Sequence, residues 1–182
     1  QVAEENIIQK KVKVLRKITP QRLKNIALYY LKRFESSVAN LRSVLQRRVN
    51  DYAYQNKEFD RGEAYQWIED ILADFQRYGY LNDSRYAEIK IKDYMSGAGK
   101  SVRYIKGKMR EKGIDEEILS ALLEDQEYDE FEAALKLAKK KHIGPFRKDE
   151  EARFENRQKD MGTLVRAGFS YDVVQRVVGY EE

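Results

Sequence analysis

Met109-Arg-Glu-Lys-Gly113-Ile114-Asp115 and Leu164-Val-Arg-Ala-Gly168-Phe169-Ser170 are two copies of one phrase, and they decide how the chain folds. Each begins where an apolar helical period ends. Glycine then supplies left-handed backbone, which residues with a side chain resist. One apolar residue folds back, and Asp115 or Ser170 is placed to accept from the first N–H groups of a following helix. The period resumes after each phrase, at Ile118 and Leu122 and at Val173 and Val177. A helix junction written twice marks a tandem helical repeat.

Reading outward, Thr19-Pro20 is a helix start, and Ile26, Tyr30, Leu31 and Phe34 give an apolar face to a helix of about 20–36. Val38, Leu41 and Leu45 carry a second helix to about 49. Residues 50–62 read as a long polar loop. Ile68, Ile71, Leu72 and Phe75 form a helix ending near Gly79, after which Tyr80 and Leu81 fold back and Asn82-Asp83-Ser84 offers a cap. Further helices are expected over about 83–95, 100–112, 115–124, 128–142, 149–167 and 170–178. Strand-type alternation is nowhere sustained, so the fold class is all-α.

The helices group in threes. Ser37-Val38-Ala-Asn-Leu41-Arg42 matches Ser101-Val102-Arg-Tyr-Ile105-Lys106, Leu45 matches Met109, and Arg48 matches Lys112. The expected organisation is a basic arm over 1–18, mobile or frayed, then repeat 1 over 19–81, repeat 2 over 82–125 and repeat 3 over 126–182.

Composition narrows function. There is no cysteine, so thiolate chemistry, disulfides and Cys-based metal sites are excluded. No apolar run is long enough for a membrane span and no secretory signal pattern is present. The net charge is only +4 but unevenly spread. Residues 1–50 carry 12 basic and 3 acidic side chains, residues 96–112 carry 6 and 1, and residues 136–148 carry 6 and 0. Residues 113–135 carry 9 acidic side chains and no basic one. Basic blocks between acidic ones point to a polyanion, either nucleic acid or an acidic protein groove.

Catalytic constellations fail. Gly97-Ala-Gly99-Lys100-Ser101 is like the end of a phosphate-binding loop, but the pattern needs glycine where Tyr94 stands and a strand before it. It reads instead as a flexible break before a helix capped by Ser101. His142, the one histidine, ends a run of lysines. No cofactor or metal is expected, and the residues favour binding over catalysis. A rotation of 100° per residue turns Arg103, Lys106 and Arg110 away from Ile105 and Met109. Arg42 takes the Lys106 place in repeat 1, so stacked repeats align cations. Tyr29, Tyr30 and Tyr104 lie nearby; stacking on bases is open to them, and packing is the expected role.

Ala27-Leu-Tyr-Tyr-Leu31, Ser36-Ser37, Tyr78-Gly-Tyr-Leu81 with Asp83, Arg85 and Tyr86, Arg103-Tyr-Ile105, Lys112-Gly-Ile-Asp115 and Arg166-Ala-Gly-Phe-Ser-Tyr171 together resemble the RecX family of regulators of the RecA recombinase. The resemblance runs from about Pro20 to Gly179. It implies a curved, elongated array of three three-helix repeats in a non-enzymatic cytoplasmic protein. It also implies binding to the RecA nucleoprotein filament, inhibition of strand exchange and of RecA ATPase, and a part in DNA repair, recombination and the SOS response. Single- or double-stranded DNA is a further partner for some members, and a monomer is the simplest state. The candidate contacts are Arg42, Arg47, Arg48, Arg103, Lys106, Arg110, Lys112, Lys139, Lys140, Lys141 and Arg166. The alternatives are a stand-alone DNA-binding helical protein and a scaffold for an unrelated acidic protein. The resemblance departs at residues 50–62, where a short connection is expected, at Ala167 in place of a base, and at Asp160, which falls opposite Ile105.

Overall fold

The structure is a computed structural model that describes residues 13–97 and 99–181. These residues form only helices: α1 (Pro20–Leu31), α2 (Val38–Gln55), α3 (Arg61–Arg77), α4 (Asp83–Ser96), α5 (Val102–Glu111), α6 (Glu116–Glu124), α7 (Glu130–Lys141), α8 (Glu150–Arg166) and α9 (Tyr171–Val178), with a 3₁₀ turn at Gly144–Phe146. Side chains that accept from N–H groups of the first turn set the starts, among them Thr19, Ser37, Asp60, Asn82, Ser101, Asp115, Asp149 and Ser170.

Each group of three closes its own core. Leu23, Leu41, Leu45, Ile68, Leu72 and Phe75 fill the first. Tyr86, Ile91, Ile105, Met109 and Leu119 fill the second, and Ala134, Ala138, Leu164, Val174 and Val177 the third. Tyr128 packs against both of the latter and donates to the Lys100 carbonyl at 2.6 Å. Repeat limits at 19–81, 82–125 and 126–182 remain our proposal, supported by this division of the cores.

Three expectations need correction. The loop of 50–62 shrinks to 56–60, because α2 continues to Gln55. Tyr52 extends the stripe of Leu41, Leu45 and Val49 by one more turn, and it meets Phe59 edge-on at 5.0 Å. The first helix stops at Leu31, not near 36: Ser36 and Ser37 are buried where the next helix begins, and Phe34 is left 54% exposed. The arm is fixed from Lys13 onward. Leu15 N–H donates to Gln55 Oε1 at 3.2 Å, Gln55 Nε2 donates to the Lys13 carbonyl at 3.2 Å, and Ile18 enters the first core. The remainder of the expected arm, residues 1–12, lies outside the described residues.

The quoted glycines sit where the repeats meet. Gly113 and Gly168 have φ of 71° and 98°. Ile114 N–H reaches back to the Met109 carbonyl and Phe169 N–H to the Leu164 carbonyl, which satisfies the open ends of α5 and α8. The preceding carbonyl is claimed by the neighbouring repeat: Ser37 Oγ donates to Lys112 O at 2.6 Å, and Ser101 Oγ donates to Ala167 O at 2.8 Å. The same hydroxyls accept from Asn40 and Tyr104 N–H. The next amide is claimed too. Val38 N–H donates to Asp83 Oδ1, and Val102 N–H to Glu130 Oε1, both at 2.9 Å. Two junctions are thus built from the same parts.

Ser101 is fully buried. Ser101→Ala removes a helix cap and strands the Ala167 carbonyl, so a loss of about 2 kcal/mol is expected in urea unfolding. Ser101→Thr, which keeps the hydroxyl, is expected to lose less.

Gly99 is not a flexible break. It has φ of 66°, is buried, and a Cβ there would lie 2.6 Å from the Ala133 carbonyl of α7.

Candidate polyanion-binding interface

The cation-bearing helices α2 and α5 occupy the same place in successive repeats, held there by the two junctions. The candidate side chains fare differently. Arg42 is engaged: its Nε and Nη2 donate to the two Glu69 oxygens at 2.7 and 3.1 Å. That bidentate bond, more than its charge, holds the Glu69 carboxyl below its ordinary range. Arg110 likewise grips Glu116 at 2.9 and 2.7 Å, and Glu116 is lowered by the same cause. The acidic block after Gly113 therefore neutralises part of the basic block before it.

Arg47, Arg48, Arg103, Lys106 and Lys112 make no ion pair within 4.0 Å among the described residues. Arg103 and Arg166 are brought together across the second junction. They line a groove of about 410 Å³ with Tyr104, Lys108, Glu111 and Val165. Arg166 is steadied by a donation to Thr163 Oγ1 at 3.4 Å. Lys139, Lys140 and Lys141 sit apart from this groove. They occupy the last turn of α7, where cations complement the free carbonyls of a helix end. Of the candidates, Arg103 and Arg166 share a groove, while Arg42 and Arg110 are held internally.

The aromatic residues divide as well. Tyr104 packs edge-on against Tyr94 at 5.8 Å, with Lys100 Nζ 4.4 Å and Lys108 Nζ 5.7 Å from its ring centre. Tyr30 accepts from Asn40 Nδ2 at 3.0 Å. Tyr29 is 59% exposed and carries the Arg33 guanidinium 4.7 Å from its ring centre. Packing was the expected role of Tyr29, but its ring is open, with Arg16, Lys17 and Arg22 in the basic stretch before it.

Asp160, opposite Ile105 in the repeat register, is 1% exposed. Arg147 donates to both its oxygens at 2.6 and 2.7 Å, and Gly144 N–H donates to one at 2.9 Å. Burial opposes its ionisation, but the guanidinium and the amide outweigh burial and leave its pKa lowered. An ion pair replaces an apolar core contact in the third repeat. Among the described residues, no group of three His, Cys, Asp or Glu side chains is placed to hold a metal, and no helix is long and apolar enough to cross a membrane.

Family models for the second and third three-helix domains of RecX match residues 82–123 and 127–178. The Regulatory protein RecX of Myxococcus xanthus is 40% identical over 165 residues, covering 90% of this chain and 87% of that protein. The Regulatory protein RecX of Clostridium perfringens is 30% identical over 139 residues, covering 76% of this chain and 64% of that protein. The crystal structure of RecX from Lactobacillus salivarius shares the fold, with a TM-score of 0.63 over 87% of this chain and 94% of that one, at 22% identity. A helix row with two matched junctions, two domain models in register and a relative alike along nearly its whole length together place this chain in the RecX family of regulatory proteins.

Proposed function

We propose that this RecX-family chain binds the RecA nucleoprotein filament and lowers its recombinase and ATPase activity by occupancy, without chemistry of its own. Such a role belongs to DNA repair and recombination in the cytoplasm. The observation that carries the reading is the repeated junction, which presents α2 and α5 alike so that cations recur at equivalent places, Lys106 at that of Arg42 and Lys112 at that of Arg48, with Arg103 and Arg166 sharing the groove beside them. A nucleoprotein filament repeats its subunits, and several modest contacts to a repeating partner add through effective concentration. The relatives' shared name, Regulatory protein RecX, supports the same reading.

The experiment is inhibition of DNA-dependent ATP hydrolysis by RecA, titrated with native and variant protein at two salt concentrations. Arg103→Glu with Arg166→Glu is expected to raise the half-inhibitory concentration about tenfold or more, since each reversed charge costs on the order of 1 kcal/mol. Arg110→Glu is a poorer probe because it also breaks the pair with Glu116. Unchanged inhibition by a double variant with native circular dichroism would overturn the assignment.

A further inference from the structure

The first turns of α8, at the end remote from Arg166, carry an exposed stripe. Glu150, Arg153, Phe154 and Arg157 recur at the spacing of one helix face. Phe154 is 83% exposed and is the one large apolar side chain between Glu150 and Lys159. It stands at a groove of about 400 Å³ lined also by Gly144 and Val178, with Glu150 and Arg157 beside it. Arg153 is steadied by donation from its Nε to the Pro145 carbonyl at 3.1 Å. Glu150 and Arg157 form no ion pair among the described residues. Aligned on Gly113 and Gly168, the Ser101 cap falls opposite Asn156, so residues 150–155 have no counterpart in α5 and serve no junction. The starts of α2 and α5 are each covered by the repeat that follows, whereas Asp149, Glu150 and Glu151 at the start of α8 are exposed.

We infer that this face is the contact between two copies of this chain, with α8 of each laid antiparallel against α8 of the other about a two-fold axis between Arg153 and Phe154. In that register Glu150 of one copy faces Arg157 of the other, an ion pair made twice by symmetry. Each Arg153 guanidinium lies beside the Phe154 ring of the other copy. The two rings, close to the axis, cover one another and leave water. The order of charges decides for a second copy. A carboxylate lies on one side of Phe154 and a cation on the other. A partner of negative sign, nucleic acid or an acidic peptide, meets a like charge at Glu150, and a basic partner meets one at Arg157. A reversed copy of the same stripe matches both ends. The contact is small, so the pair forms in a concentration-dependent way. The monomer expected from the family resemblance is thus one side of an equilibrium.

The test needs neither RecA nor DNA, so its outcome is independent of the filament reading. Sedimentation velocity of the full chain is followed from low to high micromolar concentration, and the native chain is expected to pass from monomer to dimer over that range. Phe154→Ala is expected to raise the dimer dissociation constant about tenfold or more, since both copies lose the ring. Glu150→Arg and Arg157→Glu are each expected to stay monomeric, because each sets like charges face to face at both ends. Mixed in equal amounts, those two variants are expected to recover a dimer of native strength, since the positive stripe of one then faces the negative stripe of the other. That recovery also shows both variants to be folded. A native chain that stays monomeric throughout would overturn the inference. So would dimers of native strength in Phe154→Ala or Glu150→Arg, failure of the mixture to pair, or growth beyond the dimer, which marks an open head-to-tail contact.

Discussion

Arg147→Met is expected to destabilise the third repeat by about 3–5 kcal/mol near neutral pH, because it leaves Asp160 as an unpaired charge in a core. Asp160 is 1% exposed, and only the Gly144 N–H would remain to hold it. The pH dependence should reverse with the substitution. In the native chain the folded pKa of Asp160 lies below its unfolded value. Its stabilising contribution is therefore present above the unfolded pKa and is lost as pH falls through the folded one. In Arg147→Met, burial acts without the guanidinium and raises the folded pKa above the unfolded one. Stability is then greatest in acid and declines as pH rises through the ordinary carboxylate range. Urea unfolding of both chains from acid to neutral pH measures the crossing trend. Arg147→Met combined with Asp160→Leu is expected to recover most of the loss, short of the about 1–3 kcal/mol left by the orphaned Gly144 amide. Two declining-in-acid profiles of similar size would refute the account.

Gly113→Val is the second large effect, at about 3 kcal/mol or more. Its φ of 71° suits glycine, and a β-branched residue there is strained. A Cβ at Gly113 would also overlap the Ala39 Cβ of the preceding repeat, so the junction has to open. Gly168→Val meets the same obstacle at Ser101 Oγ, with Arg103 Cβ 3.3 Å away. Gly79 separates strain from crowding: its φ is 78°, but nothing lies within 4 Å of a Cβ there. Gly79→Val should therefore cost only the backbone term, about 2 kcal/mol. Denaturant unfolding of the three variants checks this order. Equal losses at Gly79 and Gly113 would show that close approach between repeats contributes nothing.

Much of this architecture could be read from local chemistry. Gly113 and Gly168 marked helix ends because few other residues take that backbone. Ser37 and Ser101 marked starts, and their common register foretold that α2 and α5 are equivalent. What the residues concealed were long-range pairings. Nothing local to Arg42 announces Glu69, which lies on another helix, so a cation that looked free is held. Asp160 looked like a flaw in the alignment because its partner, Arg147, belongs to a connecting segment rather than to the repeat. His142 ends its helix where the period did, but it adopts φ of 54°, a conformation that glycine takes at the other junctions. The continuation of α2 was legible in principle, since Tyr52 keeps the period of Val49, but the surrounding Asn, Asp and Gln outweighed one aromatic. The basic N-terminal stretch was visible as charge, whereas its folding into a concavity around Tyr29 depends on how the arm lies along α2.

The borrowed carboxylates at the junctions have a consequence for how the chain is made. Val38 N–H is satisfied by Asp83, and Ser37 by the Lys112 carbonyl, both supplied by later sequence. Val102 and Ser101 wait in the same way for Glu130 and Ala167. On a translating ribosome, the first repeat thus emerges with the Val38 N–H awaiting Asp83 and the Ser37 hydroxyl awaiting residue 112. Each repeat is finished by its successor, so maturation trails synthesis by roughly one unit, and a stalled ribosome would hold its last exposed repeat in a form ready for chaperones or proteases.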